Sequence, residues 1–161
     1  AVVFTSDHGY HLGEHTFWQK SNLHEEVLKV PLIISVPGMK SGRTRSMVEL
    51  VDLMPTLAEI CGLNVPPSCQ GKSLLPILKE HSASVKEGAL SFHKGAISYR
   101  VNGWSYTRYK GGSEEFYDMK EDPNQFFNLA FKEDNKYVSE LKKMRSKFDK
   151  RLKNLGLKVG K

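Results

Sequence analysis

The chain has 161 residues, 39% hydrophobic and 26% charged, with a formal net charge of +6 at pH 7. That composition is ordinary for a globular protein with a buried core. It contains no run of the roughly eighteen apolar residues that a membrane-spanning helix needs, and no signal-peptide pattern opens it. Residues 132–161 carry an excess of seven positive charges and the remainder is slightly acidic, so the basic character belongs to one segment.

The chain opens on AVVFTSDHGYHLGEHTFWQK. Val2, Val3 and Phe4 form a short apolar run bounded by polar residues, which predicts a strand buried on both faces inside a parallel sheet. Thr5, Ser6, Asp7 and His8 follow at its carboxyl end, the edge at which open α/β sheets bind ligands. Asp7 offers carboxylate oxygens, His8 an imidazole nitrogen, and Gly9 a backbone turn without a Cβ penalty. Adjacent oxygen and nitrogen donors suit a divalent cation; by residue chemistry alone calcium, manganese or zinc fits. The competing reading is that Asp7 and His8 merely close a strand, since Asp followed by Gly is common turn chemistry.

Residues 10–19 read as a His-rich loop long enough to fold over a site. His11 and His15 are either substrate contacts or hydrogen-bonding props. Ser21 is placed to cap a helix over 22–28, with Glu25 and Glu26 near its positive end and His24 packing or capping. Pro31 ends that helix, and Leu32, Ile33, Ile34 and Val36 predict a second buried strand, parallel to the first and joined to it by a right-handed crossover. A basic loop leads to a short strand over 47–49. Asp52 is a plausible cap for the next helix, Pro55 is tolerated in its first turn, and Gly62 ends it after Leu57, Ile60 and Cys61 have lined one face. A Pro-rich loop precedes another helical turn over 73–78.

From about Gly88 the pattern changes. Residues 89–92 and 96–101 predict strands, Asn102 and Gly103 supply hairpin turn chemistry, and residues 104–109 return antiparallel. Gly111 and Gly112 turn the chain into a fourth strand over 115–118, which Asp122 and Pro123 end. His93, at a strand end, is either structural or a pocket residue. Tyr137, Leu141, Met144, Phe148, Leu152 and Leu155 then recur at spacings of three and four, one apolar face of an amphipathic helix. Its lysines fall on the other faces. They make a solvated surface or, on a second reading, a basic docking surface for nucleic acid or sulfated polysaccharide; no nucleic-acid motif accompanies them.

The stretch SDHGYHLGEHTFWQK, followed by KSNLHEEVLKVPLIISVPG, VELVDLMPTLAEICGL and EEFYDMKEDPNQFFNLA, resembles the formylglycine-dependent sulfatases, in particular their iduronate-2-sulfatase-like branch. The resemblance implies an α/β chain: the C-terminal part of an alkaline-phosphatase-like fold over residues 1–80, then a small α+β subdomain over 81–161 with an antiparallel sheet and a C-terminal helix. It implies that Asp7 and His8 are metal ligands, with calcium the favoured metal, and that Lys20 binds and stabilises the sulfate group. The expected partners are a sulfated small molecule or glycan and an upstream N-terminal part of the same enzyme, in an exported compartment. Neither nucleic acid nor a membrane span is expected. The family's nucleophile is made from a Cys or Ser in a Cys/Ser-x-Pro/Ala-x-Arg motif. Neither Cys61 in CGLNV nor Cys69 in CQGKS fits it, so the formylglycine is expected from upstream and the chain alone is expected to be inactive. The two cysteines flank a Pro-Pro turn that a disulfide could close in an exported protein, or they are thiols packed as small hydrophobes. Two alternatives stay open: a phosphonate or phosphodiester hydrolase of the same superfamily, and a non-catalytic module binding anionic glycans.

Overall fold

The computed structural model describes residues 1–157. Its order is β1 (Val2–Thr5), α1 (Glu25–Leu28), β2 (Leu32–Ser35), α2 (Leu53–Ile60), α3 (Leu75–Lys79), β3 (Gly88–His93), β4 (Ala96–Val101), β5 (Trp104–Arg108), β6 (Glu114–Asp118) and α4 (Asn135–Asn154), with short 3-10 turns at Glu14–Thr16, Leu50–Asp52 and Leu129–Phe131. Packing divides the chain discontinuously. Ala1–Gly9 with Lys29–Ala89 form one unit, and Tyr10–Leu28 with the residues from Leu90 form a second.

In the first unit β1 and β2 make a two-stranded sheet that is antiparallel, against the parallel crossover expected, with Val3 opposite Ile34 and Thr5 opposite Leu32. The register gives the reason. The end of β1 faces the start of β2, so residues 6–31 leave and return at one edge, and the connection's only α-helix, four residues long, spans about 6 Å, too little to carry the chain back along a strand. Within this chain neither strand is covered on both faces. Val3, Thr5, Leu32 and Ile34 are partly covered, while Val2, Phe4 and Ile33 on the other face are exposed.

The rest of this unit is organised on a buried ion cluster. Asp52 is completely buried and accepts hydrogen bonds from the backbone N–H groups of Glu49 and Lys72, each at 2.8 Å, and from the Lys86 ammonium at 2.7 Å. Lys86 also donates to Glu49. Glu49 and Asp52 thereby form a capping box around the 3-10 turn, so the strand expected over 47–49 is instead irregular chain shaped by capping. Gly71 passes so close to Val51 that a Cβ would sit 2.0 Å from its carbonyl oxygen. Pro55 is in the first turn of α2 as predicted, and Gly62 takes a left-handed φ of 68° just beyond its end. The buried face differs from the expected one. It is Pro55, Thr56 and Ala58, because the Thr56 hydroxyl is drawn inward to accept from the Leu74 N–H and donate to the Asp52 carbonyl, leaving Leu57 and Cys61 exposed. Both cysteines are free thiols, with Cys69 half-buried, so neither the disulfide nor the pair of packed thiols is formed.

The second unit carries a four-stranded sheet in the order β3-β4-β5-β6. Tyr99 opposes Tyr106, and Tyr106 opposes Phe116, so aromatic side chains line one face across three strands. On that face α4 lays Leu141, Met144, Phe148 and Leu152, all buried, with Tyr137 and Leu155 partly covered. This is the apolar stripe the sequence predicts, although Lys158 and Lys161 of the basic segment lie outside the described residues. Phe148 meets Tyr106 edge-on at 5.0 Å, and the Arg108 guanidinium sits 4.8 Å above the Phe148 ring. The helix expected over 22–28 is only the single turn α1. Its cap comes from far along the chain: the buried Gln125 side chain accepts the Glu25 N–H at 2.7 Å and donates to Ser105 at 3.2 Å, while Arg100 pairs with the Glu25 carboxylate at 2.8 Å.

Lys86→Ala strips the counter-charge from a fully buried carboxylate, and should destabilise the protein by about 3–5 kcal/mol, read as a lowered urea midpoint. Glu114 gives a pH dependence. Burial pushes its carboxyl up, but hydrogen bonds from Arg145 and Tyr106 and the charges of Arg145 and Arg108 outweigh that, and its pKa is lowered in the folded state. The lowered value means that Glu114 contributes stability at pH above its unfolded pKa, and that this contribution is lost as pH falls through the folded one. Stability measured against pH should therefore fall less on acidification below about pH 4.3 in Glu114→Gln than in the unmodified protein.

Candidate active site

Strand β1 delivers Ser6 to Gly9 at its carboxyl end, and local hydrogen bonds shape the turn. The Ser6 hydroxyl donates to the His8 carbonyl at 2.8 Å, and the Asp7 Oδ1 accepts the His8 N–H at 3.0 Å. His8 Nδ1 lies 2.8 Å from the Gly9 carbonyl oxygen. A carbonyl only accepts, so Nδ1 holds the ring proton and Nε2 keeps its lone pair. That Nε2 lies 3.5 Å from Asp7 Oδ2. Metal–ligand bonds of about 2.3–2.6 Å meeting at a right angle set neighbouring ligand atoms about 3.3–3.7 Å apart, so the pair has the spacing of two adjacent ligands of a calcium-like cation. The Asp7 side chain is 85% exposed and His8 33%, leaving the pair accessible. Two ligands fill only part of a shell of six to eight. The donor set therefore fits a divalent cation whose remaining ligands come from elsewhere.

Lys20 ends the loop that follows, in the second unit. Gly13 makes the loop's reversal with φ 126°, a value L side chains rarely adopt, and a Cβ there would touch the Trp18 ring at 3.4 Å. The His11 N–H donates to the Gln19 carbonyl and the Gly13 N–H to the Phe17 carbonyl, each at 3.1 Å, while the Tyr10 hydroxyl donates to the Trp18 carbonyl at 3.0 Å. Glu14 is held below the usual carboxylate range by the Leu12 N–H, which donates to it, and then by its own N–H. Lys20 itself is exposed. The structure thus joins Asp7 to His8 as a pair and sets Lys20 at the end of a closed loop.

The remaining histidines divide as follows. His11 is completely buried, His15 and His24 are mostly buried against each other, and His93 sits half-buried where β3 turns into β4. The His11 side chain makes its contact with Asn22, inside the second unit. Sequence reasoning missed its companions: Asn22, Glu26 and Glu115 all face this histidine group. The one signal available was the spacing of His11 and His15 by four and of His24 and Glu26 by two.

Residues 13–154 match the family described as N-sulphoglucosamine sulphohydrolase, C-terminal. Mouse arylsulfatase K is 33% identical over 148 residues, covering 80% of the chain and 26% of the relative. An N-acetylglucosamine-6-O-sulfatase of Bacteroides thetaiotaomicron is 32% identical over 144 residues, with the same two shares of 80% and 26%. The chain thus spans about a quarter of the length of these curated relatives. Among solved structures, one of a protein in complex with its substrate D-glucosamine-2-N,6-O-disulfate superposes with a TM-score of 0.83 at 29% identity, over 94% of this chain and 33% of that one. Another, of a 2-O glycosaminoglycan sulfatase, gives 0.78 at 31% identity, over 98% and 38%. The chain therefore belongs to the sulfatase family, and carries the C-terminal portion of its alkaline-phosphatase-like α/β fold with the antiparallel sheet and helix that follow.

Proposed function

We propose that the protein to which this chain belongs hydrolyses sulfate esters of a sulfated sugar or glycan, and that this chain supplies the charge-stabilising half of its active site. The observation that carries the reading is the Asp7–His8 pair: two lone-pair donors 3.5 Å apart at the carboxyl end of β1, with the His8 tautomer fixed by the Gly9 carbonyl. Relatives named for sulfated-sugar substrates support the substrate class. The combination of Asp with His, together with the GYHLGEH and WQK blocks, favours the iduronate-2-sulfatase-like branch, calcium as the metal, and a formylglycine nucleophile from the upstream part of the enzyme.

In this reading Asp7 and His8 hold the cation and Lys20 faces the sulfate group. Bound there, the cation would lower the pKa of the nucleophile and offset negative charge. The Gly9 carbonyl, by retaining the Nδ1 proton, keeps His8 Nε2 directed at the metal. Lys20 neutralises the charge that builds on the sulfate oxygens as the ester bond breaks, and the 10–20 loop, closed by its own backbone bonds, presents that ammonium at little entropic cost.

Lys20→Ala in the full-length enzyme should lower kcat for a chromogenic sulfate ester by about 10²–10³-fold, since removing one such charge-stabilising group is typically worth about 2.7–4 kcal/mol. Asp7→Ala should lower both turnover and calcium binding, measured by titration calorimetry. The 161-residue chain by itself should show no turnover, and an N-terminal part carrying formylglycine should restore it. Unchanged kinetics in Lys20→Ala, or turnover by the chain alone, would overturn the reading.

A further inference from the structure

The second unit holds a polar cluster that the proposed reaction does not use. His11, His24 and Glu26 each present a ligand atom within 4.8 Å of the other two. The His11 side chain is completely buried, His24 is 15% exposed and Glu26 19%. Three of their polar atoms are buried without a hydrogen-bond partner: His11 Nδ1, His24 Nδ1 and Glu26 Oε2. Buried polar groups are nearly always paired, so three such atoms in one place call for a ligand.

The outer contacts show which atoms are left for the cluster. His11 Nε2 lies 3.1 Å from the Asn22 Oδ1, which also accepts the His24 N–H at 3.2 Å. The Asn22 Nδ2 lies 2.8 Å from the same ring nitrogen, and a metal at His11 Nδ1 selects the tautomer in which Nε2–H donates to Oδ1 and Nδ1 keeps its lone pair. His24 Nε2 lies 3.4 Å from a Glu115 carboxylate oxygen, which leaves Nδ1 as its inward donor. Glu26 offers Oε2 inward, while its Oε1 lies 3.8 Å from His15 Nε2. The His15 ring covers His24 at 4.3 Å between centroids and rests on Phe126 at 4.9 Å, and His15 is held at φ 55°, a conformation a non-glycine residue rarely keeps without compensation.

We infer that His11 Nδ1, His24 Nδ1 and Glu26 Oε2 form a binding site for a zinc-class divalent transition metal, separate from the Asp7–His8 pair, with His15 as its lid. Two imidazoles and one carboxylate are a donor set for zinc and its neighbours rather than for calcium, which takes oxygen. Tetrahedral bonds of about 2.0–2.1 Å set ligand atoms roughly 3.4 Å apart, a spacing that donors within 4.8 Å of one another reach by small side-chain shifts. Each ring's outer nitrogen is oriented by an oxygen of Asn22 or Glu115, the arrangement in which carbonyl and carboxylate groups orient metal-bound histidines. The site ties the loop that ends at Lys20 to α1 and β6, all within one packing unit. Its role is to stiffen that loop.

The test uses the full-length, tag-free protein in an Asp7→Ala background, so that metal held by the Asp7–His8 pair does not enter the result. After zinc loading and dialysis, plasma mass spectrometry should find about one zinc per chain, and cobalt substitution should give the intense visible bands of a low-coordinate site. The near-isosteric Glu26→Gln should lower zinc affinity at least tenfold and remove the rise in Tm produced by zinc. Asn22→Ala, which removes the partner of the His11 outer nitrogen and of the His24 N–H, should weaken zinc about 10–100-fold. If His11→Ala fails to fold, Glu26→Gln decides. Less than a tenth of a zinc per chain, or equal zinc content and affinity in Glu26→Gln, overturns the inference and leaves the cluster a set of His–Glu ion pairs.

Discussion

The pairing of Thr5 with Leu32 constrains everything around it. Because the last residue of β1 faces the first residue of β2, the long excursion between them has a single root, and Asp7 and His8 stand at that root. A strand end is a stiff place to fix two adjacent donor groups. Backbone direction is set by the ladder, and only Ser6, Asp7, His8 and Gly9 are needed to close the turn. The cost is exposure: the outer face of this two-stranded sheet shows Val2, Phe4 and Ile33. Such a continuous apolar face on a short sheet is the kind of surface that further strands or helices of a larger domain cover.

The two packing units achieve order by different means. The first has little apolar core and depends on charge: the Lys86 ammonium is shared by the Glu49 and Asp52 carboxylates, and removing it would strand a buried carboxylate. The second has a conventional core in which Tyr106, Phe116 and Phe148 are completely buried. Its polar rim then does specific jobs. Burial and the neighbouring Glu114 raise the Tyr106 hydroxyl far above its usual pKa, so it remains a hydrogen-bond donor, and Arg108 and Arg145 gather on the same carboxylate from β5 and α4. The basic excess of α4 follows from this layout: its apolar stripe faces the sheet, and much of its charge is solvated or spent on acidic partners such as Glu114 and, within the helix, Glu140.

What the sequence made legible was whatever local periodicity controls. The strand β4 and the turn at Asn102–Gly103 fall where alternation and turn chemistry put them, as does the six-residue stripe of α4. Strand direction was not legible, because an apolar run such as Val2 to Phe4 looks the same in parallel and antiparallel company; only the return point of the chain decides, and that is a tertiary fact. Residues 47–49 were misread for a related reason, since Glu49 is shaped by Asp52 and Lys86 rather than by its own β propensity. At the site, Asp7 and His8 were legible as adjacent donors, and their resemblance to a known motif sharpened them. The His11, His24 and Glu26 group was not, because its members come from a loop and a one-turn helix and are brought together by Asn22, Gln125 and Glu115, two of them about a hundred residues away.

The proposed reading is that Asp7 and His8 hold a cation and that Lys20 binds the sulfate group. It is tested most directly by a crystal structure of the full-length protein grown with calcium and a sulfated sugar. The account predicts one calcium with an Asp7 carboxylate oxygen and His8 Nε2 both in its first shell, at about 2.3–2.6 Å, and the Lys20 ammonium within hydrogen-bonding distance of a sulfate oxygen. A cation bound without Asp7 and His8, or a sulfate group contacted by other cationic groups while Lys20 points to bulk water, would contradict it.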